Sequence, residues 1–361
     1  MRADGRDRWP GSSESGVGHV AAMVLVLVAA VVAFVTIRDS LPSLSNSPGA
    51  GTRSPAAATA AGRTVGPAVA DLEVSLAGGG HRSATGLVLT PAGEVVTNNH
   101  VIAGATGITA RPGGTGPAYT ATVLGYDVTH DVAVLGLTGA SGLSTIEPGS
   151  SSSVTTGDPV AVIGNVAGLE GAARARTGGV TGVHQQVAGG GERLSGLLEI
   201  HVATGARDSG GPVTGAGTKV LAMTTSAPGG GHFDGQSSDD VTYAIPIDDV
   251  LAVVDRVDAG HSTPSVHVGP RAALGVAVQP TSHGDTGAYV VGVTADGPAA
   301  KVGLVPDTII VSIDNATIRT PGALDATLDR HRPGDRVGVG WVGHDGTYHV
   351  TDVELGTAPP R

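Results

Sequence analysis

The chain contains no cysteine. That excludes disulfides, a thiolate nucleophile and any cysteine-based metal site, although it does not fix the compartment. Aromatic residues are scarce: two Phe, two Trp and five Tyr in 361 residues, so the cores must be packed from small aliphatic side chains. Lysine occurs twice, at Lys219 and Lys301, no long basic run is present, and the net charge is −11. A nucleic-acid surface needs clustered Lys and Arg to neutralise phosphates, so no nucleic-acid partner is expected. No metal-ligand cluster and no nucleotide-binding loop stands out, and no cofactor or metal is expected.

What the chain has in excess is glycine, 58 residues, set between short Val-, Leu- and Ile-rich runs. A length of 361 residues suggests two or three domains. Residues 20–37, "VAAMVLVLVAAVVAFVTI", carry no charge. As a helix they would be roughly 27 Å long, about one hydrocarbon core. Arg2, Arg6 and Arg8 precede the run, which favours residues 1–19 inside and the bulk outside. No small-x-small cleavage site follows at once, so an uncleaved transmembrane anchor is favoured, with a signal peptide as the alternative. Residues 38–69 are mostly Ser, Pro, Gly and Ala, and read as a flexible linker.

From about residue 70, runs such as "TGLVLT", "DVAVLGL", "PVAVIGN" and "KVLAMTT" alternate with glycine-rich turns. Short, evenly spaced strands of this kind indicate an all-β barrel or sandwich. The first clear helix is "IPIDDVLAVVDRV", where Pro246 and two aspartates mark the start and Val250, Val253, Val254 and Val257 share one face. It closes a domain over 70–258. A linker over 259–270 leads to a small β module with two helices over 271–356, whose last hairpin turns at Asp345-Gly346.

The segment "ATGARDSGGPV" sets Ser209 in a tight turn. As a nucleophile this serine needs an imidazole to accept its proton and a carboxylate to fix the imidazole tautomer. Of the thirteen histidines, His100 stands out, delivered by "EVVTNN" to a strand end. Asp131 opens the strand "DVAVLGL", while His130 and Asp127 are nearby competitors that read as loop residues.

"TNNHV", "DVAVL" and "DSGGP", in that order, resemble the trypsin-like serine proteases of the HtrA/DegP type, as do "PVAVIGN", "RTGGVTGV" and "YAIPIDDV". "AALGVAV", "GPAAKVGL" and "TIIVSIDN" resemble a PDZ domain of the kind these proteases carry. The resemblance implies a mostly β protein, a chymotrypsin-like double β-barrel followed by a PDZ domain, with one N-terminal transmembrane helix. It implies His100 as general base and acid, Asp131 as its orienting partner and Ser209 as nucleophile. The N–H groups of Arg207 and Ser209 would form the oxyanion hole, at about 3 kcal/mol per donor.

Two residues depart from the family pattern. Arg207 stands where the family has glycine, so either the loop uses a negative φ or it rests in an inactive shape until it is pushed. Asp208 stands where these proteases usually carry Asn; it is expected to pair with Arg174 or Arg176. Ala203, Thr204 and Gly205 would line the pocket for the residue before the cut, with Thr224, Thr225 and Ser226 on the far wall. No carboxylate lies there, so small or medium aliphatic side chains are expected. In the PDZ-like module, Ala273, Leu274, Gly275 and Val276 would hold a peptide carboxylate, with Leu324 and Leu328 lining the other side or serving only as core.

Such relatives often form trimers through aromatic residues, and this chain has none between Phe34 and Tyr119. A homotrimer therefore stays open without that support. The function expected is a membrane-anchored extracytoplasmic serine endopeptidase acting on misfolded or regulatory proteins. The alternative is a catalytically latent chaperone or binding protein.

Overall fold

The computed structural model describes residues 55–164, 173–189, 192–226, 240–281 and 286–361. The apolar run at 20–37 lies outside them. Among the described residues no helix is long and apolar enough to cross a membrane.

Six antiparallel strands form the first barrel: β1 (Val69–Leu76), β2 (His81–Val88), β3 (Glu94–Thr97), β4 (Ala105–Pro112), β5 (Tyr119–Asp127) and β6 (Val132–Leu137). The sheet runs β5-β4-β1-β2-β3-β6 and closes through β5–β6 pairing. Its interior is filled by small aliphatics such as Leu72, Val74, Val88, Val95 and Leu135.

The second barrel comprises β7 (Pro159–Gly164), β8 (Arg174–Gly189), β9 (Glu192–His201), β10 (Pro212–Thr214), β11 (Val220–Thr225) and β12 (Val241–Pro246), closed in the order β10-β11-β12-β9-β8-β7. A closed barrel leaves no edge strand to aggregate.

Among the described residues three helices pack against these barrels. One, α1 (Pro55–Val65), falls in the segment read from sequence as a flexible linker. That reading fails for 55–69, because Ala61 and Val65 are buried in a core shared with Leu87, Ile163 and Val254. Between β3 and β4 stands the single turn α2 (Asn99–Ile102). The expected amphipathic helix is α3 (Ile247–Asp258), with Val250, Val253, Val254 and Val257 buried.

The segment 259–270 is also more ordered than a linker. Its strand β13 (Val266–Val268) adds to β5, and the His267 ring stacks on Tyr126 at 5.4 Å.

The C-terminal module has its own core around Leu274, Val290, Ile310, Val339 and Trp341. A small sheet pairs β14 (Arg271–Ala273) with β21 (Gly356–Ala358). The larger one orders β15 (Val276–Pro280), β16 (Ala288–Val293), β17 (Ile309–Ile313), β19 (Arg336–Val342) and β20 (Tyr348–Glu354), with β18 (Ala316–Thr317) on β17. Its helices are α4 (Pro298–Lys301) and α5 (Pro321–Leu328), the latter capped by Thr320 Oγ1 accepting the Ala323 N–H.

The chain leaves β21 and crosses to the first barrel, where the Gly104 N–H donates to Pro360 O at 2.8 Å. Arg361 pairs with Asp325 and Asp329, each at 3.0 Å.

Candidate active site

His100 sits on α2, at the end of β3, and is 6 % exposed. A one-turn helix leaves its carbonyls without helical partners. Arg82 of β2 supplies them, donating through Nη1 to the carbonyls of His100 (2.6 Å), Val101 (2.7 Å) and Ala103 (3.3 Å). The sequence reading missed Arg82; its one signal is a lone cation in a strand that soon becomes wholly buried.

Asp131 precedes β6 with φ +53°, a left-handed geometry that Asp tolerates better than most residues. Its carboxylate accepts from His100 Nδ1 at 2.9 and 3.1 Å, from the His100 backbone N–H at 2.9 Å, and from Thr225 Oγ1 at 2.7 Å. A carboxylate on Nδ1 fixes the tautomer that leaves Nε2 free to accept a proton.

The competing pair, Asp127 and His130, builds the turn that presents Asp131. Asp127 accepts His130 Nδ1 at 2.8 Å and the Thr129 N–H and hydroxyl at 2.8 and 2.7 Å. Burial alone would push the Asp127 carboxyl up, yet these bonds bring it down to about 2. The same bond to Asp127 raises the pKa of His130.

Ser209 follows a single 3-10 turn, Ala206–Asp208, and is 2 % exposed. The first barrel holds this loop of the second: Thr85 N–H donates to Ser209 O (2.9 Å) and Thr85 Oγ1 to Arg207 O (2.7 Å). The contact leaves no room for a side chain at 210. Gly210 has φ +86°, and a Cβ there would collide with the carbonyl oxygen of Thr85.

Asp208 is buried and accepts the Gly205 N–H at 2.8 Å. Of the two arginines considered, Arg176 is the one that pairs with it, whereas Arg174 lines a separate cavity beside Arg63.

Arg207 is not among the residues with positive φ; it lies inside the 3-10 turn, where the Ser209 N–H donates back to Ala206 O at 3.3 Å. The Ser209 N–H, one of the two expected oxyanion donors, is therefore bonded within the loop in this structure. The hydroxyls of Thr224 and Thr225 do not line an open pocket. Thr224 Oγ1 donates to Asp208 O and accepts the Gly211 N–H, and Thr225 serves Asp131.

Ala203 and Gly205 are exposed, and Thr204 bonds Thr242 at 2.8 Å. Ser209 Oγ is 2.7 Å from Ser226 Oγ. Among the described residues no hydrogen bond joins Ser209 to His100, and no group of three or more His, Asp or Glu is placed to hold a metal.

In the C-terminal module, Ala273 to Val276 face α5 across a groove of about 1090 Å³ that Leu324 and Leu328 also line. Leu274 and Leu324 are each 1 % exposed, so these leucines are core as well as wall.

Comparison with known proteins agrees with this layout. Residues 84–223 match the trypsin-like peptidase domain family and residues 272–355 the PDZ domain family. The serine protease PepD of Mycobacterium tuberculosis is 30% identical over 312 residues, 81% of this chain and 64% of that protein. A probable periplasmic serine endoprotease DegP-like of Halomonas elongata is 28% identical over 76% of this chain. The chain thus spans 64% and 56% of the lengths of these two relatives. A solved structure of the HtrA-type protease AlgW with a tripeptide covers 86% of this chain and 99% of that one, at 26% identity and a TM-score of 0.50.

Proposed function

Because the chain belongs to the HtrA-type serine proteases that join a trypsin-like peptidase domain to a PDZ domain, we propose that it is a serine endopeptidase working through His100, Asp131 and Ser209. The observation that carries this is the His100–Asp131 pair, buried, 2.9 Å apart and braced by Thr225.

His100 Nε2 takes the Ser209 hydroxyl proton as Oγ adds to the substrate carbonyl carbon. The N–H groups of Arg207 and Ser209 receive the oxyanion once the Ala206 carbonyl turns away, and each donor contributes about 3 kcal/mol. His100 then protonates the leaving amine, and water repeats the sequence on the acyl-enzyme.

Ala203, Thr204 and Gly205 offer a small neutral wall, which suits Val, Ala or Leu before the cut. Misfolded or regulatory proteins are the substrates, and the PDZ groove takes their C-termini by strand addition. The apolar run at 20–37 anchors the enzyme in a membrane with both domains outside the cytoplasm, in keeping with a periplasmic relative.

A second reading, a latent chaperone or binding protein, is favoured by one observation: the Ser209 N–H and Oγ are both engaged within the loop region. Fluorophosphonate labelling of the full chain, beside Ser209→Ala and with and without a hydrophobic C-terminal peptide, decides. Labelling that the mutation abolishes establishes the protease. Labelling only with peptide means the PDZ groove opens the loop. No labelling in any condition leaves the latent binding protein.

A further inference from the structure

We propose that Ser226 is a positioning residue that restrains the nucleophile, holding Ser209 Oγ off His100 until this bond is exchanged. The proposal rests on the protease reading above and deepens it.

The end of β11 and the residue after it, Thr224–Thr225–Ser226, present three hydroxyls in succession. Neighbouring side chains of an extended chain point to opposite sides, and the contacts follow that alternation. Thr224 and Ser226 grip the nucleophile loop, at Asp208 O and Ser209 Oγ, while Thr225 between them grips Asp131 from the other side. One short stretch therefore fixes both ends of the triad.

A serine hydroxyl has a single proton. General-base removal of that proton needs the imidazole within hydrogen-bond reach, about 2.6–3.2 Å. Among the described residues the Ser209 hydroxyl bonds Ser226 at 2.7 Å and makes no bond to His100. Where Ser209 is the donor of that bond, exchange of Ser226 for His100 must precede transfer of the proton from Ser209 Oγ to Nε2.

The test compares fluorophosphonate labelling rates of the full-length chain, from pH 5 to 9, for wild type, Ser226→Ala, Ser226→Thr and Ser209→Ala. Losing one neutral hydrogen bond from the resting state should speed Ser226→Ala labelling about two- to tenfold. The same gain should appear in kcat on a peptide substrate, with KM unchanged. Ser226→Thr keeps a hydroxyl and should label like wild type.

Equal or slower labelling of Ser226→Ala, or a threonine variant that behaves like the alanine one, would overturn the role of Ser226 while leaving the protease reading intact. Absence of labelling in wild type and Ser226→Ala alike would overturn both.

Discussion

Replacing Asp208 by asparagine keeps the shape of the side chain and removes its charge from beneath the nucleophile. The amide oxygen can still accept the Gly205 N–H, so the 3-10 turn keeps that bond. What is lost is the ion pair with Arg176, whose own side chain is 29 % exposed. Breaking a fully buried pair costs about 3–5 kcal/mol and an exposed one about 0–1 kcal/mol. Asp208 is buried, but Arg176 can turn to water, which places the expected loss between these limits, at about 2 kcal/mol. For a barrel domain of this size that lowers Tm by about 4–8 °C. Thermal unfolding followed by circular dichroism reads this directly, and a cycle with Arg176→Gln isolates the pair. The two single changes should overlap, with a coupling of about 1 kcal/mol or more. An Asp208→Asn protein with unchanged Tm and unchanged fluorophosphonate labelling would refute the argument that this pair holds the nucleophile loop.

Three further outcomes are expected. Arg82→Met removes three hydrogen bonds from a cation to the carbonyls behind His100; it should cost about 2 kcal/mol and reduce peptide hydrolysis more than it reduces Ser209-independent folding, as paired Tm and kcat measurements would show. The pH dependence of Tm should carry the Asp127–His130 turn. Asp127 falls from 3.8 to about 2 on folding, so its contribution is complete above about pH 4 and lost as the pH drops toward 2. His130 is raised above 6.5, so its share is full below that pH and fades as the pH rises through the folded value. Asp127→Asn should flatten the acid limb and His130→Gln the other, measured by thermal melts across pH. Gly210→Ala meets both a positive φ and the Thr85 carbonyl; it should lose about 3 kcal/mol or more and all labelling, read by denaturant midpoint and probe gel.

The three residues of the proposed triad share one signal in the sequence, since each sits at a strand end in a short polar motif: His100 after β3, Asp131 before β6, Ser209 before β10. Their supports carry no such signal. Thr225, Ser226 and Arg82 act across strands or barrels, and no spacing in one chain announces such a contact. Thr224 and Thr225 were read as pocket wall because the sequence marks a strand end without saying which way each hydroxyl turns. Arg174 and Arg176 lie two apart on β8, hence on the same side, and only the three-dimensional register selects Arg176. The helix α1 was invisible for a different reason. Its alanines, glycine and proline have the composition of a tether, and among its described side chains Ala61 and Val65 dock it, with Gly62 close against Ala175. Leu324 and Leu328 of the C-terminal module, read as groove wall or as core only, line the groove, and both are buried.

That docking of α1 has a mechanical consequence. The helix lies against β7 and β8, and Ala175, which it touches, is the residue next to Arg176. Tension applied to the chain upstream of Pro55 enters the molecule through this seam. It is borne by the strand whose arginine pairs beneath Ser209 and by the core that the helix shares with Leu87 of the first barrel. The fold therefore offers a line of force from the chain upstream of Pro55 to the Arg176–Asp208 pair beneath Ser209.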